Sequence, residues 1–198
     1  MTTILILFIV FFSIILHEFS HGYIAYLNGD DTAKNMGRLT FNPLPHIDPV
    51  NTILLPLMLI VLNSPIIIGM AKPVPVNPFN FRDYDRGMLN VGLAGPVSNI
   101  IFGSILAFSS RFLGYGFIKD VVLWAGQINF ILAFFNLIPI PPLDGSRVVS
   151  FFLPQSVRYK YDQLERYGII IVILFLLAGG HIWLFPLTKK IVYAIAGF

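Results

Sequence analysis

The sequence predicts an all-α integral membrane protein with four to five transmembrane helices, a re-entrant hairpin and short β segments at the membrane surface. Three observations carry that prediction. Of the 198 residues, 56% are hydrophobic and only 12% charged, and mean hydropathy is +0.78, far from the balance of a soluble domain. Five apolar stretches, at about 3–27, 51–71, 88–112, 118–140 and 167–187, each approach the roughly 20 residues that a helix needs to cross hydrocarbon. The loops between them are short, so residues 1–198 are expected to form one polytopic domain, with its core over about 3–150 and a last span over about 167–187.

The first stretch starts directly after Met1-Thr2-Thr3 with no Lys or Arg before it. It lacks the basic start of a cleaved secretory signal and is expected to remain as a helix. The second carries Pro56, Pro65 and the breaker Asn63-Ser64-Pro65, which cut it into pieces shorter than a bilayer and favour a hairpin returning to the side it left. Positive charge agrees. If all five stretches cross, Lys72, Arg82, Arg86, Arg147, Arg158, Lys160 and Arg166 face Lys34, Arg38, Arg111, Lys119, Lys189 and Lys190, seven against six. If the second stretch returns, Lys34 and Arg38 change sides and the split becomes nine to four, which the positive-inside rule prefers. The expected protein is therefore a multi-pass cell-membrane protein with its N-terminus outside and loops 28–50, 72–87 and 141–166 in the cytoplasm.

Within those loops, Gly37 to Phe41 and Pro73 to Val76 read as short extended pieces able to pair at the membrane surface. In the third stretch, Gly95 and Gly103 read as close helix contacts, since small residues let membrane helices approach. The fourth ends in a run broken by three prolines, and residues 154–166 read as a solvated turn or interfacial helix. In the fifth, His181 follows Gly179-Gly180 and is placed at the outer interface. The 19 Phe residues are expected to be lipid-facing bulk.

The most polar motif lies where polarity is most costly. His17-Glu18-Phe19-Ser20-His21 sits inside the first apolar stretch, where each ionisable side chain costs about 2.5 to 3.5 kcal/mol on insertion scales. Residues four apart share a helix face, so His17 and His21 can offer ring nitrogens to one Zn²⁺, while Glu18, about 100° round, reaches the attacking water. A lone buried His is more often a hydrogen-bonded core residue; three ionisable groups within five positions of a membrane helix are harder to explain without a metal. Cysteine is absent, so zinc must be held by His and carboxylate. One zinc per chain needs a third ligand and an open position. The candidate is Asp144, at the end of Asn136-Leu137-Ile138-Pro139-Ile140-Pro141-Pro142-Leu143-Asp144-Gly145. Asp-Gly is also a common turn pair, and the residues alone leave both readings open. His46, near Asp48, reads as a surface or supporting His rather than a ligand.

HExxH in an early membrane helix followed by N-x-x-P-x-P-P-L-D-G resembles the site-2 protease family, the intramembrane zinc metalloproteases of peptidase family M50. The segments Gly69 to Asn77, Ala94-Gly95-Pro96-Val97-Ser98-Asn99, Arg38 to Pro43 and His46-Ile47-Asp48-Pro49 resemble parts of its short prokaryotic members. The resemblance covers about 10–150. It implies a membrane protease domain in which His17, His21 and Asp144 are the zinc ligands, Glu18 is the catalytic base and acid, and Asn136, Pro139 and Pro141 lie along the substrate path. No PDZ or CBS domain is expected.

The chemistry agrees with those roles. Neutral imidazoles and one carboxylate leave zinc with net positive charge, able to acidify water and polarise a peptide carbonyl. Glu18 can then move a proton from water to the leaving amine. A transmembrane substrate must first unwind, because its carbonyls are already bonded within its helix, and the proline-broken stretch 136–142 offers backbone for strand addition. The expected partners are a transmembrane protein substrate and the lipid bilayer. Nucleic acid is not expected, since the net charge of +3 is spread out and no Lys/Arg run interleaves with aromatics. No G-x-S-x-G elbow appears and the Asp residues fall mostly in loops, which disfavours serine and aspartyl intramembrane chemistry. A zinc-binding membrane scaffold or transporter is the competing class. Transport calls for polar residues spread along several spans, and an inactive scaffold has no need of Glu18. The active site is expected to open toward the cytoplasm.

Overall fold

A computed structural model of the chain describes residues 2–62 and 71–198. Helix α1 (Thr2–Leu27) contains no proline. It stops at Gly29, whose φ of +110° favours glycine, and a Cβ there would lie 3.0 Å from the Asn80 carbonyl oxygen. After the short α2 (Thr32–Asn35), a wide π turn over Pro49–Leu54 leads into α3 (Leu55–Val61). Pro56 does not cut this element as expected. It occupies the first turn of α3, where a proline's missing N–H costs little. The described part, Pro49–Val61, is a single apolar helix shorter than a bilayer crossing. The expected breaker Asn63-Ser64-Pro65 lies outside the described residues, as do Gly69 and Met70.

Helix α4 (Tyr84–Ser109) is central and packs against α1, α5 (Phe117–Asn136), α6 (Asp144–Phe152) and α9 (Leu184–Ala196). Its N-terminus is capped by Asp83, whose side chain accepts from the Arg86 N–H. Buried glycines line its inner face. Gly103, for example, meets Gly126 of α5 so closely that a Cβ would stand 3.0 Å from the Gly126 carbonyl oxygen. The cores are small: Ala25, Phe81 and Val91 at one end, and Ala107, Phe130 and Val192 at the other. Large side chains such as Ile101, Ile105 and Phe108 face outward, as suits a protein whose solvent is lipid.

Among the described residues, three helical segments are long and apolar enough to cross a membrane: Phe8–Leu27, Tyr84–Phe112 and Phe117–Asn136. The fifth stretch, 167–187, is not one continuous helix. It forms α8 (Gly168–Leu177), a turn, and α9. The break is at Gly179, with φ +79°, where the Gly179 and Gly180 N–H groups fold back onto the Leu176 and Phe175 carbonyls. Helix α9 then turns Leu184, Thr188, Val192 and Ala196 into the bundle, against α5 and α4. His181 is exposed in the intervening turn. Between α6 and α8, residues 154–166 form α7 (Gln155–Asp162) and a 3₁₀ turn.

The expected β segments are absent among the described residues. Residues 71–77 run without regular structure but find no strand partner. Pro73 and Pro75 have no N–H to offer, and the donors that remain go elsewhere. Lys72 N–H reaches the His46 carbonyl at 2.9 Å, Val74 N–H reaches Glu18 at 2.8 Å, and Asn77 N–H reaches Asp30 at 2.7 Å. Around Gly37, whose φ is +65°, the chain bends instead of extending, and Arg38 donates to the carbonyls of Lys72 (2.8 Å) and Pro73 (3.2 Å). The two pieces do meet, through a side chain.

Candidate metal centre

His17 and His21 lie one turn apart on α1, and Asp144 opens α6. All three are buried and form the potential metal-binding group among the described residues, their ligand atoms within 4.8 Å of one another. The Nε2 atoms of the two histidines are 3.0 Å apart. Asp144 Oδ2 stands 3.0 Å from His17 Nε2 and 3.2 Å from His21 Nε2.

The other ring nitrogens fix where the protons are. His21 Nδ1 faces the Val91 carbonyl at 2.7 Å, which can only accept. His17 Nδ1 faces Asn99 Oδ1 at 2.7 Å. The orientation of Asn99 follows from its amide nitrogen, which donates to the Ser13 carbonyl (3.2 Å) and to Asn129 Oδ1 (2.8 Å). Asn129 in turn donates to Ser13 Oγ and the Ala125 carbonyl. Both histidines therefore carry a proton on Nδ1, and in their neutral forms each aims an Nε2 lone pair at the same point. Asp144 Oδ2, buried, has no hydrogen-bond partner among the described residues. Three lone pairs converging without a hydrogen between them repel unless a cation sits among them. Their separations approach the roughly 3.3 Å edge expected of ligand atoms about 2.05 Å from a tetrahedral zinc. The residues fit the metal.

Gly95 of α4 makes room for it. A Cβ there would fall 2.4 Å from His17 Cε1, 2.5 Å from His17 Nε2 and 2.6 Å from His21 Nε2. Gly145 fixes the third group, since a Cβ would meet the Leu137 carbonyl oxygen at 2.2 Å; the start of α6 is thus pressed onto the end of α5. Glu18, the next residue round α1, accepts from Val74 N–H at 2.8 Å, so the strap 71–77 holds its carboxylate beside the two rings. Val74 itself is buried and packs over Gly22, where a Cβ would come within 2.7 Å of it.

The residues expected along the substrate path are dispersed. Asn136, half-buried at the end of α5, donates from Nδ2 to the Leu132 carbonyl of its own helix at 2.9 Å, which leaves Oδ1 to accept. Pro139 is exposed, and its carbonyl accepts from Tyr161 Oη at 2.9 Å. Pro141 is buried. His46 is fully buried, with Nε2 against the Thr40 carbonyl, and stands apart from the metal group.

Sequence reasoning missed Ser13, Asn129 and the role of Asn99. A signal was present: Ser13, His17 and His21 recur at intervals of four along one helix face, and a buried Asn inside an apolar stretch is itself a marker of function.

A family model, described as peptidase family M50, matches residues 110–179, the part that holds Asp144 and the proline segment. The chain is 40% identical over 192 residues to YwhC of Bacillus subtilis, provisionally named a zinc metalloprotease, a match covering 89% of this chain and 82% of that protein. It is 28% identical over 184 residues to Rip2 of Mycolicibacterium smegmatis, which bears the same provisional description, covering 89% and 68%. A zinc metalloprotease of Methanocaldococcus jannaschii, MJ0392, is 28% identical over 162 residues, covering 79% of this chain and 36% of that longer protein. No solved structure matches the chain significantly.

Proposed function

Starting from a chain that belongs to peptidase family M50, a zinc-dependent membrane metalloprotease of the site-2 type, we propose that His17, His21 and Asp144 hold the zinc and that Glu18 moves the protons. The observation that supports this assignment is the convergence of two imidazole lone pairs and an unpartnered carboxylate oxygen on one point, with Glu18 alongside.

When bound there, zinc supplies a Lewis acid that acidifies water and polarises the scissile carbonyl. Asn99 and the Val91 carbonyl orient the two imidazoles through their Nδ1 protons. Glu18, aimed by Val74 N–H, takes a proton from the attacking water and delivers it to the leaving amine. The substrate is a membrane protein whose helix unwinds locally before cleavage, because helical carbonyls are otherwise engaged. Asn136 Oδ1 and the backbone through Pro139 and Pro141 receive the unwound segment by strand addition. The Pro139 carbonyl already accepts from Tyr161 Oη and has a second lone pair to offer the substrate.

In our reading the protein is a multi-pass cell-membrane protease whose site opens toward the cytoplasm, and 51–71 leaves and re-enters on one side. Support comes from the Arg38 bonds to the carbonyls of Lys72 and Pro73, which put the residues before and after 51–71 within side-chain reach. His21 lies six residues before the end of α1 at Leu27, about 9 Å along the axis, on the side of those loops. A scaffold or transporter reading has no comparable observation behind it.

The test measures zinc content and cleavage of a single-span substrate in detergent. We expect about one zinc per chain, loss of activity with chelator, and a Glu18→Gln variant that retains metal without cleavage. Full activity in Glu18→Gln would remove Glu18 from the mechanism. Native-rate cleavage by Asn136→Ala would remove Asn136 from the substrate path.

A further inference from the structure

Alongside α6, a cavity of about 310 Å³ is lined by Tyr84 and Met88 of α4, Pro141 and Pro142 of the proline segment, and Arg147 of α6. None of its lining residues is a proposed ligand or the catalytic base. Its opposite wall is charged, and most of those charges are satisfied. Arg158 Nη1 pairs with Asp85 at 2.6 Å, and its Nε bonds Ser150 Oγ at 3.1 Å. Asp162 accepts from Ser150 Oγ at 2.8 Å.

Arg147 is different. Half-buried on α6, it has no carboxylate, carbonyl or aromatic partner among the described residues. Its stem rests on α4: a Cβ at Gly92 would come within 3.0 Å of Arg147 Cβ and 3.7 Å of its Cδ. A guanidinium whose stem is packed against α4, with its five donors unengaged, suits a planar carboxylate. We propose that this cleft binds an acidic side chain of the substrate, in the segment flanking the cleaved span, with Arg147 as the receptor; the inference rests on the protease reading above.

Two features favour a polypeptide carboxylate over a free or lipid phosphate. Glu165, an exposed lining residue with no ion-pair partner among the described residues, repels a compact multivalent anion, whereas a peptide can place one carboxylate at Arg147 and carry its backbone past Glu165. The floor of Pro141, Pro142, Met88 and Tyr84 also suits chain rather than a hydrated headgroup. Position ties the cleft to the reaction. Arg147 is three residues beyond Asp144 on one helix, about 4.5 Å along its axis, and Pro141 and Pro142 continue directly from the segment proposed to receive the substrate backbone.

The test uses the full-length chain in detergent and a series of single-span substrates in which Glu or Gln is placed at successive flanking positions. At one or two positions the native protein should cleave the Glu substrate about fivefold better in kcat/KM, chiefly through KM, with the preference weakening in salt. In Arg147→Ala the Glu-to-Gln ratio should fall to about one at those positions, in Arg147→Lys it should be partly kept, and in Arg147→Glu a Lys substrate should become the better one. Zinc content measured in each variant separates a lost preference from a damaged site, and Arg147→Gln serves if the alanine variant fails to fold. A preference that survives Arg147→Ala, or cleavage by the native protein that ignores flanking charge at every position, overturns the inference and leaves the protease reading intact. No cleavage of any substrate by the native, zinc-loaded protein overturns the protease reading itself.

Discussion

Replacing Gly95 by alanine should separate the metal from the fold. The added Cβ would sit 2.4 Å from His17 Cε1 and 2.6 Å from His21 Nε2, about 1 Å inside ordinary contact distance. Neither ring can step aside without breaking its 2.7 Å bond to Asn99 or Val91, and zinc tolerates ligand displacements of only about 0.2 Å. Zinc affinity should therefore fall by about 100-fold or more, equivalent to about 2.7 kcal/mol, and cleavage should fall with it. The helix itself gains, since Ala is favoured over Gly in a helix interior by about 1 kcal/mol. The expected result is a folded chain with unchanged helicity and little zinc, read by metal analysis against a competing chelator and by circular dichroism. Gly103→Ala is the contrast: its Cβ meets the Gly126 carbonyl at 3.0 Å and Asn129 Cβ at 3.2 Å, so it should loosen α4 against α5 by about 1 to 2 kcal/mol while retaining zinc. Native zinc affinity in Gly95→Ala would refute the placement of the metal against α4.

Two further predictions concern the loop side. Asp30 is buried, which opposes its charge, yet its carboxyl is held below the usual range because it accepts from the Thr32 hydroxyl, Asn77 N–H, Asn80 Nδ2 and Thr32 N–H. A depressed carboxyl contributes stability above its unfolded value near 3.9 and loses it as pH falls through the lower folded value. Asp30→Asn should thus cost about 2 kcal/mol at neutral pH and flatten the acid limb of thermal stability below about pH 4; an identical acid limb in both proteins would exclude Asp30 as its source. Single cysteines introduced at Lys34 and at Lys72 should react with an impermeant reagent from the same side of sealed vesicles, and labelling from opposite sides would rule out the re-entrant reading of 51–71.

What the sequence made legible followed from spacing. His17, Glu18 and His21 declare themselves because a helix period of 3.6 turns a five-residue motif into a face. Asp144 was different, for its side chain has no local partner that distinguishes a ligand from a turn residue; its selection came from the resemblance, and its contact with α1 spans most of the chain. The hydrogen bond from Val74 to Glu18 had no sequence signal, because any non-proline residue offers the same N–H. Proline placement did predict that residues 73–76 avoid helix, but those same prolines remove the donors a ladder needs, which is why the strands failed to form. Helix α9 was overlooked because Lys189 and Lys190 interrupt its hydropathy, although Leu184, Thr188, Val192 and Ala196 are spaced as one buried face.

The division of the metal-binding group between α1 and α6 also sets an order in time. His21 leaves the ribosome 123 residues before Asp144, roughly 6 to 25 seconds at ordinary elongation rates. Throughout that interval the nascent chain carries His17, Glu18 and His21 but lacks Asp144, the third member of the potential metal-binding group. On the proposed assignment, proteolytic competence arrives late in synthesis, after α4 and α5 have been made, so a half-made copy presents no finished cutting site to the other membrane proteins being inserted beside it.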